Sequence, residues 1–156
     1  MLLTNAAADI NKLRGSLESL DDVTAIFKAQ PEETMLNFLK ASIKTYKEET
    51  EDVKKLHQAY SDGRFEELIP LLEETEQRTL KLVDTKYAKA MSDWLKNDLL
   101  IRRNLAWLPE IRKQSAKQST LFAVGIAHLP SEKGLIELLR KEGYQVTPEP
   151  KVLIWQ

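Results

Sequence analysis

Histidine, glutamate and arginine are the side chains in this chain whose type and setting could do chemistry. There are only two histidines, His57 and His128, and no cysteine at all. Disulfides, thiolate zinc sites and cysteine nucleophiles are therefore excluded. His128 ends the run Thr120-Leu-Phe-Ala-Val-Gly-Ile-Ala-His128, in which four apolar residues lead into Gly125 and the histidine follows three residues later. A short apolar run of this kind reads as a strand buried on both faces. Gly125 would let the chain turn sharply or let a ligand approach the backbone. The carboxyl edge of such a strand is where ligands collect in α/β folds. His57 instead sits in a helical apolar seam, where a histidine is ordinarily a core or boundary residue.

Two more groups stand beside His128 as candidates. Arg103 and Asn104 lie inside a helix that also carries Trp94 and Trp107. A buried guanidinium needs a carboxylate or an anionic ligand, so Arg103 reads either as a salt bridge closing the helix onto its neighbours or as part of a site. Glu18 ends a possible extended segment and could orient a histidine or bind a metal. One histidine is too few for a complete zinc site, which usually takes three protein ligands. The chain has no phosphate-binding glycine loop, no dinucleotide fingerprint, no Gly-x-Ser-x-Gly and no His-Glu-x-x-His.

The elements that would position these residues are mostly helical. The 156 residues are 42% apolar, with Gly and Pro scarce at five and six, a composition that favours one helix-rich domain spanning 1–156. Ser19 with Asp22 is a capping-box pair opening a short helix. Pro31 suits the first turn of a long helix over about 32–60. Its apolar positions Leu36, Leu39, Ile43, Tyr46, Thr50, Val53, His57 and Tyr60 alternate three and four apart. The seam predicts packing against the next helices, with Leu36, Leu39, Ile43, Trp94 and Leu99 in the core. Asp62-Gly63 ends that helix. Further helices are expected over 65–69, 71–83 and 87–113, with a kink or restart at Pro109. After a loop at 114–119 come the strand at 121–124, a helix over 133–142 capped by Gly143, a strand at 144–148, and a third strand or apolar tail at 152–155. The expected fold is thus α+β, helix-rich, with about six helices and a small two- or three-stranded sheet near the C-terminus.

A net charge of -1 offers no electrostatic case for nucleic acid or an anionic membrane. No stretch approaches the roughly 20 apolar residues of a membrane span, and the first residues lack the pattern of a signal peptide. The compartment stays undecided.

Four segments, in order, resemble the TraB/GumN family, which includes the Tiki metalloproteases. Leu17-Glu18-Ser19 is similar to its Leu-Glu-Thr/Ser segment, and Tyr60-Ser61-Asp62-Gly63 to its aromatic-x-x-Gly segment. Arg103-Asn104-Leu105-Ala106-Trp107 resembles its Arg-Asn-x-x-Trp helix. Gly125-Ile126-Ala127-His128, with Gly134 and Gly143-Tyr144, resembles its second Gly-x-x-His unit and closing strand. The matching stretch runs from about residue 15 to about 148. The family's first Gly-x-x-His unit has no counterpart, so the chain resembles a C-terminal half.

The resemblance implies a metal-dependent, peptidase-like hydrolase. His128 would be a metal ligand or general base, Glu18 a second ligand, Arg103 a pocket residue, Gly125 and Asn104 motif positions, and zinc or manganese the cofactor. It also implies that the site is incomplete here and that the isolated chain is inactive. The partner would be the missing half or another chain, with self-association through the open edge at Thr120–Val124 and Tyr144–Pro148. The alternatives are a non-catalytic helical interaction module and a half-protein that completes its site with another chain.

Overall fold

The computed structural model describes residues 2–147. Its elements are helices: α1 (Leu2–Asp9), α2 (Leu20–Lys28), α3 (Glu32–Asp62), a 3₁₀ turn (Phe65–Glu67), α4 (Leu68–Leu80), and α5 (Thr85–Asp93). α5 continues through a π-helical segment (Trp94–Ile101) into α6 (Arg102–Ser115). A second 3₁₀ turn (Ile126–His128) and α7 (Leu135–Lys141) follow.

The helix punctuation follows local chemistry. The Ser19 side chain accepts from the Asp22 N–H while Asp22 accepts from the Ser19 N–H, a reciprocal capping box that starts α2. Pro31 caps α3, and Gly63 ends it at φ 72°, a left-handed conformation that glycine adopts without a Cβ penalty. Pro109 lies inside α6 without ending it.

α3 and α4 form an antiparallel pair whose contact is largely polar. Asp52, buried, accepts from Arg78 Nη1 at 2.5 Å and from Thr75 Oγ1 at 3.1 Å. Glu49 accepts from Thr79 at 2.7 Å and from Thr45 at 2.5 Å. Small residues, Ala41 and Ala59, complete the inner face of α3 and let its neighbours approach closely. Apolar packing is divided between two clusters. In the first, Ala41, Leu80, Val83, Met91 and Trp94 are buried, and Ile26 and Phe38 pack against them. Trp94 takes the Phe27 ring edge-on at 5.2 Å and donates its indole N–H to the Ile26 carbonyl. In the second, Trp107, Ile111 and Leu135 are buried, with Leu17, Phe122, Val124 and Leu129 against them.

Two expectations are corrected. The fold is not α+β: no strand or sheet forms among the described residues. Among the described residues the 121–124 segment has no second segment to pair with, and a lone segment cannot satisfy a ladder. Nor is it buried on both faces. Phe122 and Val124 pack on Trp107 and its neighbours, while Leu121 is 78% exposed and Ala123 faces solvent. Residues 144–147 are irregular as well, and 152–155 lie outside the described residues. With no sheet, the open sheet edge expected to recruit another chain at Thr120–Val124 and Tyr144–Pro148 is not formed among these residues.

The second correction concerns α3. Trp94 is buried and Leu99 is half-buried, but Leu36, Leu39 and Ile43 are exposed, as are Tyr46, Thr50, Val53, His57 and Tyr60. The heptad seam faces water, and the side turned inward is mixed, with Thr45 and Asp52 beside Ala41, Ala59, Met35 and Phe38.

Ile43→Ala should therefore leave the denaturation midpoint nearly unchanged, within about 0.5 kcal/mol. Met91→Ala, at a fully buried position, should cost roughly 2–5 kcal/mol. Chemical denaturation of both variants checks the assignment of inside and outside. A loss at Ile43 comparable to that at Met91 would reverse it.

Candidate functional site

The cluster is assembled by three parts of the chain far apart in sequence. Glu18 comes from the irregular segment just before α2. Arg103, Asn104 and Trp107 come from one face of the first turns of α6, at the i, i+1 and i+4 spacing that a helix keeps together. His128 ends the 3₁₀ turn after the extended segment. The four residues expected to form a site, Glu18, Arg103, Asn104 and His128, are thus linked in a chain of contacts, Glu18 to Arg103, Arg103 to His128 and His128 to Asn104.

Glu18 receives three donors. Arg103 Nη2 reaches Oε1 at 2.5 Å, Arg103 Nε reaches Oε2 at 3.0 Å, and the Trp107 indole N–H reaches Oε2 at 3.1 Å. The pair is a two-pronged guanidinium–carboxylate contact with little exposure, 22% for Arg103 and 17% for Glu18. Hydrogen bonding from Arg103 holds the Glu18 carboxyl below its ordinary value, against the opposing effect of burial. Arg103 also stacks on the Trp107 ring, its guanidinium carbon 4.8 Å from the centroid, and donates from Nη1 to the Leu99 carbonyl.

The hydrogen-bond network assigns the proton on His128. Asn104 Nδ2 donates to two carbonyls, those of His128 at 3.2 Å and Lys133 at 2.9 Å. The Asn104 Oδ1 atom is therefore an acceptor, and His128 Nδ1, 2.7 Å away, carries the hydrogen. Nε2 keeps its lone pair and faces Arg103 Nη1 at 3.4 Å. His128 is buried, and Trp107 packs on its ring with centroids 4.5 Å apart. Burial first, and then the Arg103 charge, push its pKa down, with Glu18 acting in the opposite sense. The result is a neutral imidazole of fixed tautomer with one unprotonated nitrogen, the form that can accept a proton or ligate a cation.

Gly125 lies at the start of this turn, where its carbonyl accepts the His128 N–H at 3.0 Å. Its φ of -60° is open to any residue. The glycine that the loop needs is Gly134, where a Cβ would come within 1.9 Å of the Pro130 carbonyl oxygen and 2.4 Å of that of Leu129. His57 lies apart from the cluster, exposed on α3. Trp107 was not singled out as a site residue from the sequence. Its signal was its place four residues after Arg103, which puts both on one helix face.

A metal ion needs more donors than this cluster provides. Among the described residues no group of three or more His, Cys, Asp or Glu is placed to hold one. Glu18 and His128 supply two, and both Glu18 oxygens are already taken by N–H donors. These residues alone do not fit a zinc or manganese site.

Acid should loosen this cluster in a way that identifies its histidine. The folded pKa of His128 lies below its unfolded value, so the folded chain binds fewer protons than the unfolded one. Its contribution to stability is complete above about pH 6.5 and is lost as pH falls toward the folded pKa. Glu18, also depressed, adds a loss at lower pH, below the ordinary carboxylate range. The denaturation midpoint should fall between pH 7.5 and pH 5.5 in the wild type, and fall less in His128→Gln. Equal falls in both proteins would show that His128 does not titrate as described.

Among the described residues no helix is long and apolar enough to cross a membrane. No curated protein and no solved structure gives a significant match to this chain. A family model does match, over residues 1–148, which takes in Glu18, Arg103, Asn104, Trp107 and His128 together. The chain belongs to the TraB/PrgY/gumN family.

Proposed function

We propose that this chain contributes one part of a hydrolytic site of the metal-dependent, peptidase-like kind, completed by groups outside the Glu18–Arg103–His128 cluster. The observation that supports the reading most is the state of His128. A buried imidazole with Nδ1–H held by Asn104 is oriented as metal-ligating histidines are, through the hydrogen bond of the other nitrogen, and its unprotonated Nε2 would be free to ligate once Arg103 Nη1 moves off it. Glu18 is the second donor this chain offers, once Arg103 shifts its contact to one oxygen. Any zinc or manganese ion would need its further ligands from another segment or another chain, a second copy included. The resemblance to a C-terminal half, lacking a first Gly-x-x-His unit, agrees with that shortfall.

Arg103 suits two tasks. Its charge favours a neutral His128 and a charged Glu18. It also joins Glu18 to His128, donating to the carboxylate and facing Nε2. The rival reading is a non-catalytic interaction module in which the cluster is a structural latch. It is favoured by the satisfaction of Glu18, which already accepts three hydrogen bonds, and by the lack of any unpartnered buried side-chain polar atom among the described residues.

The isolated 156-residue chain should show no chelator-sensitive peptidase activity. Co-production with a polypeptide that carries a Gly-x-x-His unit should give activity. That activity should drop at least about 100-fold in His128→Ala, the scale expected for an essential acid–base group or ligand, and be unaffected by His57→Ala. Robust hydrolysis by the isolated chain would sink the incomplete-site version. Activity indifferent to His128→Ala, or stoichiometric failure to take up zinc in the complemented state, would leave the latch reading in place.

A further inference from the structure

The outer face of α3 is the largest feature of the molecule that neither cluster uses. Leu36, Leu39, Ile43, Tyr46 and Val53 fall on one stripe, each between 44% and 69% exposed. At 1.5 Å per residue the stripe is roughly 26 Å long. Its spacing is the a/d pattern by which a helix packs on another helix. The rotation of α3 is fixed by its other side, where Asp52 holds Arg78 and Thr75, and Glu49 holds Thr79. Turning the stripe into this chain's own core would pull Asp52 and Glu49 off those partners.

A row of lysines edges the stripe. Lys40, Lys44 and Lys47 follow at i, i+4 and i+7, all exposed, and none is in ion-pair range of a carboxylate among the described residues. Lys54, further along the same side, is paired with Glu51 at 2.7 Å. The opposite rim, at Met35, Ser42, Glu49 and Leu56, is half-buried.

We infer that this face docks an amphipathic helix of a partner protein whose apolar stripe is flanked by carboxylates. A second copy of this chain fits poorly. Paired antiparallel, two such faces would bring their lysine rows together. Paired parallel, each lysine row would meet a rim whose one carboxylate, Glu49, is already bound to Thr45 and Thr79. An anionic membrane fits poorly too, because α3 carries seven carboxylates (Glu32, Glu33, Glu48, Glu49, Glu51, Asp52, Asp62) against five lysines. A carboxylate-flanked helix meets both features: apolar anchors for the stripe, and charges for Lys40, Lys44 and Lys47. The inference is independent of what the His128 cluster does.

Two synthetic three-heptad peptides with leucine at a and d test it, one carrying glutamate at e and g and the other lysine. Fluorescence anisotropy with the full chain should show the glutamate peptide binding at least tenfold tighter, with an affinity that falls as salt rises. Ile43→Asp should abolish binding. The double variant Lys40→Glu, Lys47→Glu should reverse the preference toward the lysine peptide. Circular dichroism melts of these surface variants should match the wild type, which separates a lost contact from a lost fold. Equal binding of the two peptides, or binding to neither, would overturn the inference. So would dimerisation of the chain alone that Ile43→Asp removes, which would assign the face to a second copy. Preferential binding to phosphatidylserine-containing vesicles would assign it to a membrane.

Discussion

The contact between Glu18 and Arg103 ties together parts of the molecule that are distant in sequence. It joins residues 85 positions apart and ties an irregular N-terminal segment to the start of α6. On one side of Glu18, Leu17 is delivered into the cluster around Trp107. On the other, Ser19 immediately begins α2, whose Ile26 and Phe27 meet Trp94. The same pair therefore sets how both apolar clusters meet the N-terminal part of the chain. Removing one partner of a buried ion pair typically costs about 3–5 kcal/mol, because the other charge is left without its counterion. Water reaching the rim of this pair lowers that figure, yet Trp107 has its own hydrogen bond to the same carboxylate and would lose it as well.

Arg103 reaches Glu18 because of what precedes it. α5, the π-helical segment and α6 run without a break from Thr85 to Ser115. Met91 and Trp94, at one end, face α3 and α4. Asn104, Trp107 and Ile111, at the other, face the C-terminal loop. A π-helix closes i→i+5 bonds and so turns less per residue than an α-helix. Eight residues of it, Trp94–Ile101, change the phase between the two ends. π-Helical segments recur at functional sites, and here one ends directly before the residues that contact Glu18 and His128.

The grouping of Glu18, Arg103, Asn104 and His128 was more legible in the sequence than the fold was. Arg103, Asn104 and Trp107 are neighbours on any helix, so their shared face needs no tertiary information. Helix ends were legible for the same local reason: the Ser19–Asp22 box, and Gly63 and Gly143, which both take positive φ. The strand at 121–124 was not, because β structure is a property of two segments. Leu121-Phe122-Ala123-Val124 has the residues of a strand and, among the described residues, no partner for it. Only Phe122 and Val124 of the four find cover. His128 reaches Asn104 even though the sheet did not form, since the irregular segment before it is enough to carry the histidine there.

The α3 seam failed as a core prediction for a different reason. Periodicity reports that a helix has an apolar face, not which partner covers it. Burial inside one chain is the usual answer because area removed from water stabilises the fold. α3 instead buries Thr34, Ala41, Thr45, Asp52 and Ala59. Small side chains there allow close approach, and the polar groups in the middle of the face find partners: Thr45 with Glu49 and Thr79, Asp52 with Arg78, Thr75 and Lys55. Such a face specifies one rotation and one register, since a slip of one residue would break the Asp52–Arg78 and Glu49–Thr79 contacts together. An apolar face would tolerate several. The polar contacts of the inner face thus hold the apolar outer face in a single orientation, with Leu36, Leu39, Ile43 and Tyr46 turned to solvent in a row. What the fold forgoes in buried area it retains as a surface of defined shape.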